Sequence, residues 1–367
     1  MLKSLTSFRF FAAFMVYLYH SVGLFKNFQF GYIGVSFFFV LSGFILAYNY
    51  HSKFTELNKT TIQNFYIARL AKVYPVHLLT LGLSIPYVLL ISARTLDRDF
   101  FTGLFANLLM IQSFFPLPFG TMPYSFNSVS WSLSDELFFY IMFPFVVYLL
   151  QKLKINTGAL KILIIILAFI CMIFLTTFST LYREAKLDDW YYYVFPIFRA
   201  FDFVIGILVG MLFATKKVQE NHINKSLFNL LEIFSLCLLV VWISLSPYIS
   251  QVFRFSIYYV PMWCILIYIF AYQGGFVSKA LSNRLFVLLG EASFSFYMIH
   301  LLVINYVGVY PMGSLLNHLI TFFGSILLSI LIYLIYEEPL RKKIRFGAKN
   351  KEKLQYQTFM NNTSSLK

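Results

Sequence analysis

Charge is scarce in this chain of 367 residues, and acidic charge scarcest: 15 Asp and Glu stand against 29 Lys and Arg, and charged residues make up only 12%. A soluble domain carries about a quarter, so there is too little polar surface to wrap a chain that is 59% apolar. An aromatic-rich soluble core is thereby excluded. Cysteine is almost absent. Cys171, Cys237 and Cys264 lie within apolar runs without metal-ligand spacing, so they read as packing residues and no metal site is expected. No internal repeat is visible, and no block of basic residues forms a domain. The net charge of +14 is spread over short turns, which sets nucleic-acid binding aside. A signal-peptide cleavage site is missing too. M-L-K-S-L-T-S-F-R-F-F has a basic residue and an apolar run, but no small-residue site follows, and a retained first span is expected.

Aromatic and aliphatic residues are what the chain has in quantity. Its 45 Phe and 26 Tyr suit lipid-facing helices with aromatic belts at both interfaces. Apolar windows of ~20 residues, enough to span a bilayer, fall near 8–26, 32–50, 76–93, 136–151, 160–180, 194–215, 227–246, 254–272, 285–307 and 315–336. The expected fold class is all-α, a polytopic transmembrane helical bundle of ten spans. The stretch 101–115 is short, holds Asn107 and Gln112, and reads as interfacial or re-entrant. Lys and Arg number 21 in the loops of one side and 6 on the other, with only Arg9 and Arg199 inside spans. Cytoplasmic loops carry the excess, which predicts both termini in the cytoplasm. An eleventh crossing at 101–115 would spoil that bias. Residues 1–340 read as one membrane domain, and 341–367 as a disordered basic tail able to touch anionic lipid.

Ionisable residues inside spans are functional candidates, because hydrocarbon destabilises them unless they face protein or water. Arg9 and His20 share the first apolar run. Eleven residues on a helix are ~16 Å and nearly three whole turns, so both project from one stripe at two depths, although Arg9 can also snorkel and merely anchor the helix. On the cytoplasmic side lie Arg9, Arg69 and Lys72, the last two three apart on an expected short amphipathic helix, Phe65 to Val73, leading into Pro75. Three cations at one leaflet can bind phosphates; positive-inside bias is the plainer alternative for Arg69 and Lys72. Glu291, Glu337 and Glu338 are candidate ion-pair partners for them.

Toward the other face lie His20, the segment from Trp131 through Ser134 and Asp135 to Glu136, the pair Arg199 and Asp202, and His300. Arg199 and Asp202 are three apart and can pair for purely structural reasons. Ser293, Tyr297 and His300 share one helical face, as a polar wall along a channel would. A lone His in a span more often bonds backbone than does chemistry, but two on separate spans with carboxylates at similar depth shift that balance. Imidazole can take a proton from a hydroxyl near neutral pH, and Glu136 can orient it or hold an acceptor. Phosphate-binding cations on one side and a base further across follow the logic of transmembrane acyl transfer, with both lining one continuous cavity. Gly31, Gly34, Gly43, Gly206 and Gly210 permit close approach of helices or of an extended ligand.

Seven stretches in order carry a resemblance. They are Arg9 with His20; G-Y-I-G-V-S-F-F-F-V-L-S-G-F from Gly31; F-Y-I-A-R-L-A-K-V-Y-P from Phe65; W-S-L-S-D-E-L-F-F-Y from Trp131; F-R-A-F-D-F-V-I-G-I-L-V-G from Phe198; S-F-S-F-Y-M-I-H from Ser293; and Y-E-E-P from Tyr336. Across nearly its whole length the chain resembles bacterial members of the membrane-bound acyltransferase family 3, which O-acylate surface glycans and some small molecules. The resemblance implies acyl-CoA, usually acetyl-CoA, as a cytosolic co-substrate rather than a bound cofactor. It implies His20 as catalytic base, Arg9, Arg69 and Lys72 at the CoA end, and Glu136 near the reaction centre. It leaves Trp131, Ser134, Asp135, Arg199, Asp202, Ser293, Tyr297 and His300 as substrate-binding or structural residues. Two positions depart from the family pattern: Lys72 stands where Arg is usual and Asp202 where Glu is usual.

The expected function is thus O-acylation, most simply O-acetylation, of a hydroxyl on an extracytoplasmic polysaccharide or its lipid-linked precursor, by a multi-pass protein of the bacterial cytoplasmic membrane. Expected partners are acyl-CoA, the glycan acceptor, membrane lipid and glycan-assembly proteins, the last because no extracytoplasmic esterase-like domain is present. Two rivals are a transporter or flippase using His20, His300, Asp202 and Glu136 as a path, and a non-catalytic scaffold. Transporter folds often show internal repeats and broken midplane helices, and neither is clear here.

Overall fold

The structure is a computed structural model and describes residues 2–21, 28–116, 122–155, 157–182, 189–217, 224–310 and 313–347. Among these residues there is no strand. Fourteen α-helices follow in order: α1 Lys3–Ser21, α2 Phe30–Tyr50, α3 Lys59–Pro86, α4 Arg98–Leu108, α5 Trp131–Lys152, α6 Gly158–Tyr182, α7 Pro196–Lys217, α8 Lys225–Leu245, α9 Gln251–Arg254, α10 Val260–Ala271, α11 Phe276–Leu281, α12 Arg284–Glu291, α13 Ser293–Val307 and α14 Ser314–Ile332. Hydrocarbon cannot satisfy a backbone amide, so long apolar runs close their hydrogen bonds within helices. Polar side chains start them: Asn58 caps α3 by accepting from the Thr60 and Thr61 amides at 2.9 and 3.3 Å, and Asn283 caps α12 through Leu285 N at 3.0 Å.

Seven helical segments are long and apolar enough to cross a membrane among the described residues, or eight if the bent pair α12–α13 is one span. Every expected span contains helix, but two fall outside that set. In α1, Lys3, Arg9 and His20 dilute the apolar run. The stretch 254–272 holds the end of α9 and the 12-residue α10, ~18 Å long at ~1.5 Å per residue, against a core of ~30 Å. The 11-residue α4 is likewise too short to cross.

Four local expectations are corrected. The first helix starts at Lys3 rather than at residue 8 and is described as far as Ser21, so Arg9 lies two turns inside it and His20 near the end of its described part; residues 22–26 of the expected span, Lys26 among them, lie outside the described residues. Phe65 to Val73 is not a separate short helix but part of a 28-residue helix with Pro75 inside it. One lost backbone hydrogen bond is tolerated where neighbouring helices support the segment. The 285–307 span bends by 63° between α12 and α13. Finally, helix continues from α14 through Glu337 to Gly347, so the first seven residues of the basic tail are helical, with Glu338 pairing forward to Arg341 and to Lys342 at 3.3 Å. Residues 348–367 lie outside the described residues, as do Arg183 and Lys186.

The centre of the bundle is α2, packed between α1 and α7. A Cβ on Gly43 would collide with Phe203 O, one on Gly206 with Val40 O, and one on Gly34 with Ala12 O. These glycines therefore serve backbone-to-backbone helix packing. Periphery differs from centre: Ile166 and Phe174 on α6, Leu230 and Val240 on α8, and Leu327 on α14 are exposed apolar side chains, as lipid contact requires.

Candidate active site

Helix α1 carries two cavities at its two ends. The first, ≈ 220 Å³, is lined by Arg9, by Arg69 and Lys72 from α3, by Glu136 and Tyr140 from α5, and by Ser42 and Asn49 from α2, among apolar side chains such as Leu5 and Phe38. Arg69 and Lys72, three apart on α3, reach it from one face, which the continuous helix through Pro75 secures. Arg69 donates to Tyr50 OH at 3.3 Å and lies 5.4 Å from the Tyr50 ring centroid and 5.8 Å from that of Phe65, a stacked platform that holds a guanidinium in place. Its Nε is buried with no acceptor among the described residues.

Ion pairs within 4 Å among the described residues are Arg199–Asp202, Arg341–Glu338 and Lys342–Glu338; Arg9, Arg69 and Lys72 make none. Their countercharges stand further off. Glu136 accepts from Tyr140 OH and, at 3.3 Å, from Ser42 Oγ, and acts on Lys72 through space. Glu337 is buried, accepts from Ser295 at 2.6 Å, and interacts electrostatically with Arg9 and Lys72. Of the three glutamates expected near the cations, only Glu337 is in that position: Glu338 pairs with Arg341 and Lys342, and Glu291 accepts from Tyr333 OH at 3.1 Å.

The second cavity, ≈ 210 Å³, is lined by His20, Tyr19, Tyr32, Tyr124, Trp131 and Tyr193, with Tyr297. Its walls are rings packed on rings: Tyr32 to Tyr193 at 4.4 Å and Trp131 to Tyr193 at 4.6 Å between centroids. No Arg, Lys, Asp or Glu lines it among the described residues. His20 Nδ1 lies 3.1 Å from His300 Nε2.

Tyr297 and Val35 line both cavities. One continuous cavity was expected; two cavities are found that adjoin at those two side chains. The Tyr297 hydroxyl donates to Val129 O at 3.1 Å and shares a 2.8 Å hydrogen bond with Ser132, so this side chain is pinned to the start of α5. Glu136, expected to orient the imidazole or hold the acceptor, opens instead on the cationic cavity.

The remaining sequence candidates lie behind the walls. Arg199 and Asp202 are fully buried and paired at 2.8 Å; Arg199 donates to Phe255 O at 2.5 Å and lies 4.9 Å from the Phe39 centroid and 5.8 Å from that of Tyr193, while Asp202 accepts from Ser256. Ser134 bonds Ser113 at 2.6 Å, Asp135 beside it is fully buried, and Ser293 bonds Gly290 O at 2.8 Å across the α12–α13 bend. None of these five candidates, nor His300, lines either cavity. Sequence reasoning missed Tyr140, Ser42 and, in the second cavity, Tyr19, Tyr32, Tyr124 and Tyr193. Tyr140 was within reach, four residues after Glu136 on one face; Tyr193 lies before α7 in a segment whose placement only packing decides. Among the described residues no group of three or more His, Cys, Asp or Glu is arranged to hold a metal ion.

Comparison with known proteins bears on what such a pair of cavities does. A family profile described as an acyltransferase domain matches residues 2–337. Acyltransferase MdmB of Streptomyces mycarofaciens is 29% identical over 326 residues, covering 83% of this chain and 79% of that protein. A putative peptidoglycan O-acetyltransferase, YrhL of Bacillus subtilis (strain 168), is 25% identical over 324 residues, covering 83% of this chain and 48% of that protein. A putative O-acetyltransferase of Staphylococcus aureus (strain COL) is 22% identical over 337 residues, 85% of this chain and 53% of that protein. The chain thus spans about half the length of the last two. No solved structure matches it.

Proposed function

Because the chain belongs to acyltransferase family 3 and is a multi-pass membrane acyltransferase of groups other than aminoacyl, we propose that it moves an acetyl group from cytosolic acetyl-CoA to a hydroxyl of an extracytoplasmic polysaccharide or its lipid-linked precursor. The observation that carries this reading is the division of labour along α1: a cavity with three cations outside ion-pair distance of any carboxylate among the described residues, set against an aromatic cavity that presents His20. Phosphates bind cations through charge-assisted hydrogen bonds, so Arg9, Arg69 and Lys72 take the nucleotide end of acyl-CoA while Glu136 and Glu337 limit the positive excess. Sugar rings lay apolar faces on aromatic side chains and offer hydroxyls at their edges, which the tyrosines and Trp131 of the second cavity suit.

In the reaction, His20 takes the proton of the acceptor hydroxyl as its oxygen attacks the thioester carbonyl. The tetrahedral adduct collapses by breaking the C–S bond, and the CoA sulfur leaves with the proton from the imidazolium. The acyl group meets the hydroxyl where the two cavities adjoin, at Tyr297. In this reading the protein sits in the bacterial cytoplasmic membrane with both termini inside, and CoA enters and leaves on the cytosolic side.

The test supplies labelled acetyl-CoA to membranes bearing the protein and follows label into the polysaccharide fraction. Transfer that disappears with His20→Ala is expected. Label that persists in that variant would reject His20 as base, and absence of label with any acyl-CoA would favour a transporter or scaffold.

A further inference from the structure

We propose that His300 is a positioning residue: it sets the tautomer of His20 and so decides that Nε2 of His20 acts as the base. The inference rests on the catalytic reading of His20 and follows from hydrogen-bond polarity. His300 Nδ1 lies 2.7 Å from Tyr297 O and 3.2 Å from Phe296 O. Carbonyl oxygens only accept, so this nitrogen carries the hydrogen, and in a neutral imidazole the other nitrogen then holds a lone pair. That nitrogen, His300 Nε2, lies 3.1 Å from His20 Nδ1, which must therefore donate. The lone pair of His20 is left on Nε2.

The anchor is rigid for a local reason. Both carbonyls belong to residues three and four before His300 on α13, so the helix itself orients the ring. Phe296 stacks on it with centroids 6.0 Å apart, and Tyr17 of α1 meets it edge-on at 6.3 Å. His300 is fully buried, lines neither cavity, and has no carboxylate within ion-pair distance among the described residues. It touches neither donor nor acceptor site, and its reach to the chemistry runs through His20 alone. When His20 takes up the substrate proton, its Nδ1–H bond to His300 becomes charge-assisted and strengthens, which favours the proton-transfer step over ground-state binding.

Two measurements on the purified full-length protein test this. The first is nitrogen-15 NMR of the histidine rings in the wild type, read against His20→Ala for assignment; it needs no activity. Hydrogen on Nδ1 of His20 is expected, and hydrogen on Nε2 overturns the proposal. The second is kinetics of His300→Leu and His300→Gln. Leu removes the acceptor, and kcat is expected to fall ~10²-fold, the low end of what a general base supplies, with KM for acetyl-CoA unchanged. The Gln amide oxygen can replace Nε2 as acceptor, and kcat within ~10-fold of wild type is expected. Equal losses in both variants, or a change in KM alone, overturn the proposal while leaving His20 as base. A wild type that transfers nothing defeats the functional reading instead, and the NMR result still decides the tautomer.

Discussion

The two ends of α1 are built from opposite materials. Around Arg9 the protein places fixed cations, two carboxylates held apart from them, and a stacked guanidinium; around His20 it places rings and hydroxyls, and no fixed charge among the described lining residues. On the proposed function, the first cavity takes an anion that must bind and be released, and the second a neutral hydroxyl that must be deprotonated. Keeping the cations away from His20 serves that chemistry, since a cation beside His20 would oppose the imidazolium that forms in the transition state.

The largest expected effect tests that contrast most directly. His20→Ala should lower kcat by ~10²–10⁴-fold with KM for acetyl-CoA unchanged, since His20 lines only the second cavity; a matching rise in KM would show the two sites to be one. Arg69→Ala should do the reverse. Losing one charge-assisted contact of ~1.5–3 kcal/mol raises KM for acetyl-CoA by ~10–100-fold with a smaller change in kcat, measured in the same assay. Tyr297→Ala would remove the shared wall and let water meet the thioester. Acetyl-CoA hydrolysis without acceptor should rise several-fold, read as free CoA release, and a variant that remains tightly coupled would mean the partition lies elsewhere. Smallest is Glu338→Gln. Its partners Arg341 and Lys342 lie on the helical tail, so stability should change by less than ~1 kcal/mol and KM not at all, whereas a clear KM effect would return Glu338 to the cationic cavity.

How much of this could be read in advance differs by scale. The helical class followed from apolar run length, because in a bilayer that length compels a hydrogen-bonded helix. The common face of Arg9 and His20 followed from helical repeat alone, and the motifs around Arg69 and Trp131 pointed to side chains that do meet at cavity walls. Pro75 inside α3 was not legible: a proline stops many helices, and whether neighbours support the gap depends on packing. The 63° bend after Glu291 was hidden because no proline marks it within 285–307. Glu136 reads from depth as a group that orients the imidazole or holds the acceptor, yet depth says nothing of azimuth, and on α5 it lines the cationic cavity.

The order of residues by itself determined that this chain fills a membrane with helices, where its charges fall along them, and which family it joins, since all of these depend on spacing within one segment. Only tertiary structure decided which charges share a cavity, that Tyr297 and Val35 stand where the two cavities adjoin, and that His300 reaches His20 across 280 positions of sequence. The physical reason is that these relations depend on how helices rotate and approach, and glycines at Gly34, Gly43 and Gly206 set that approach by what they lack.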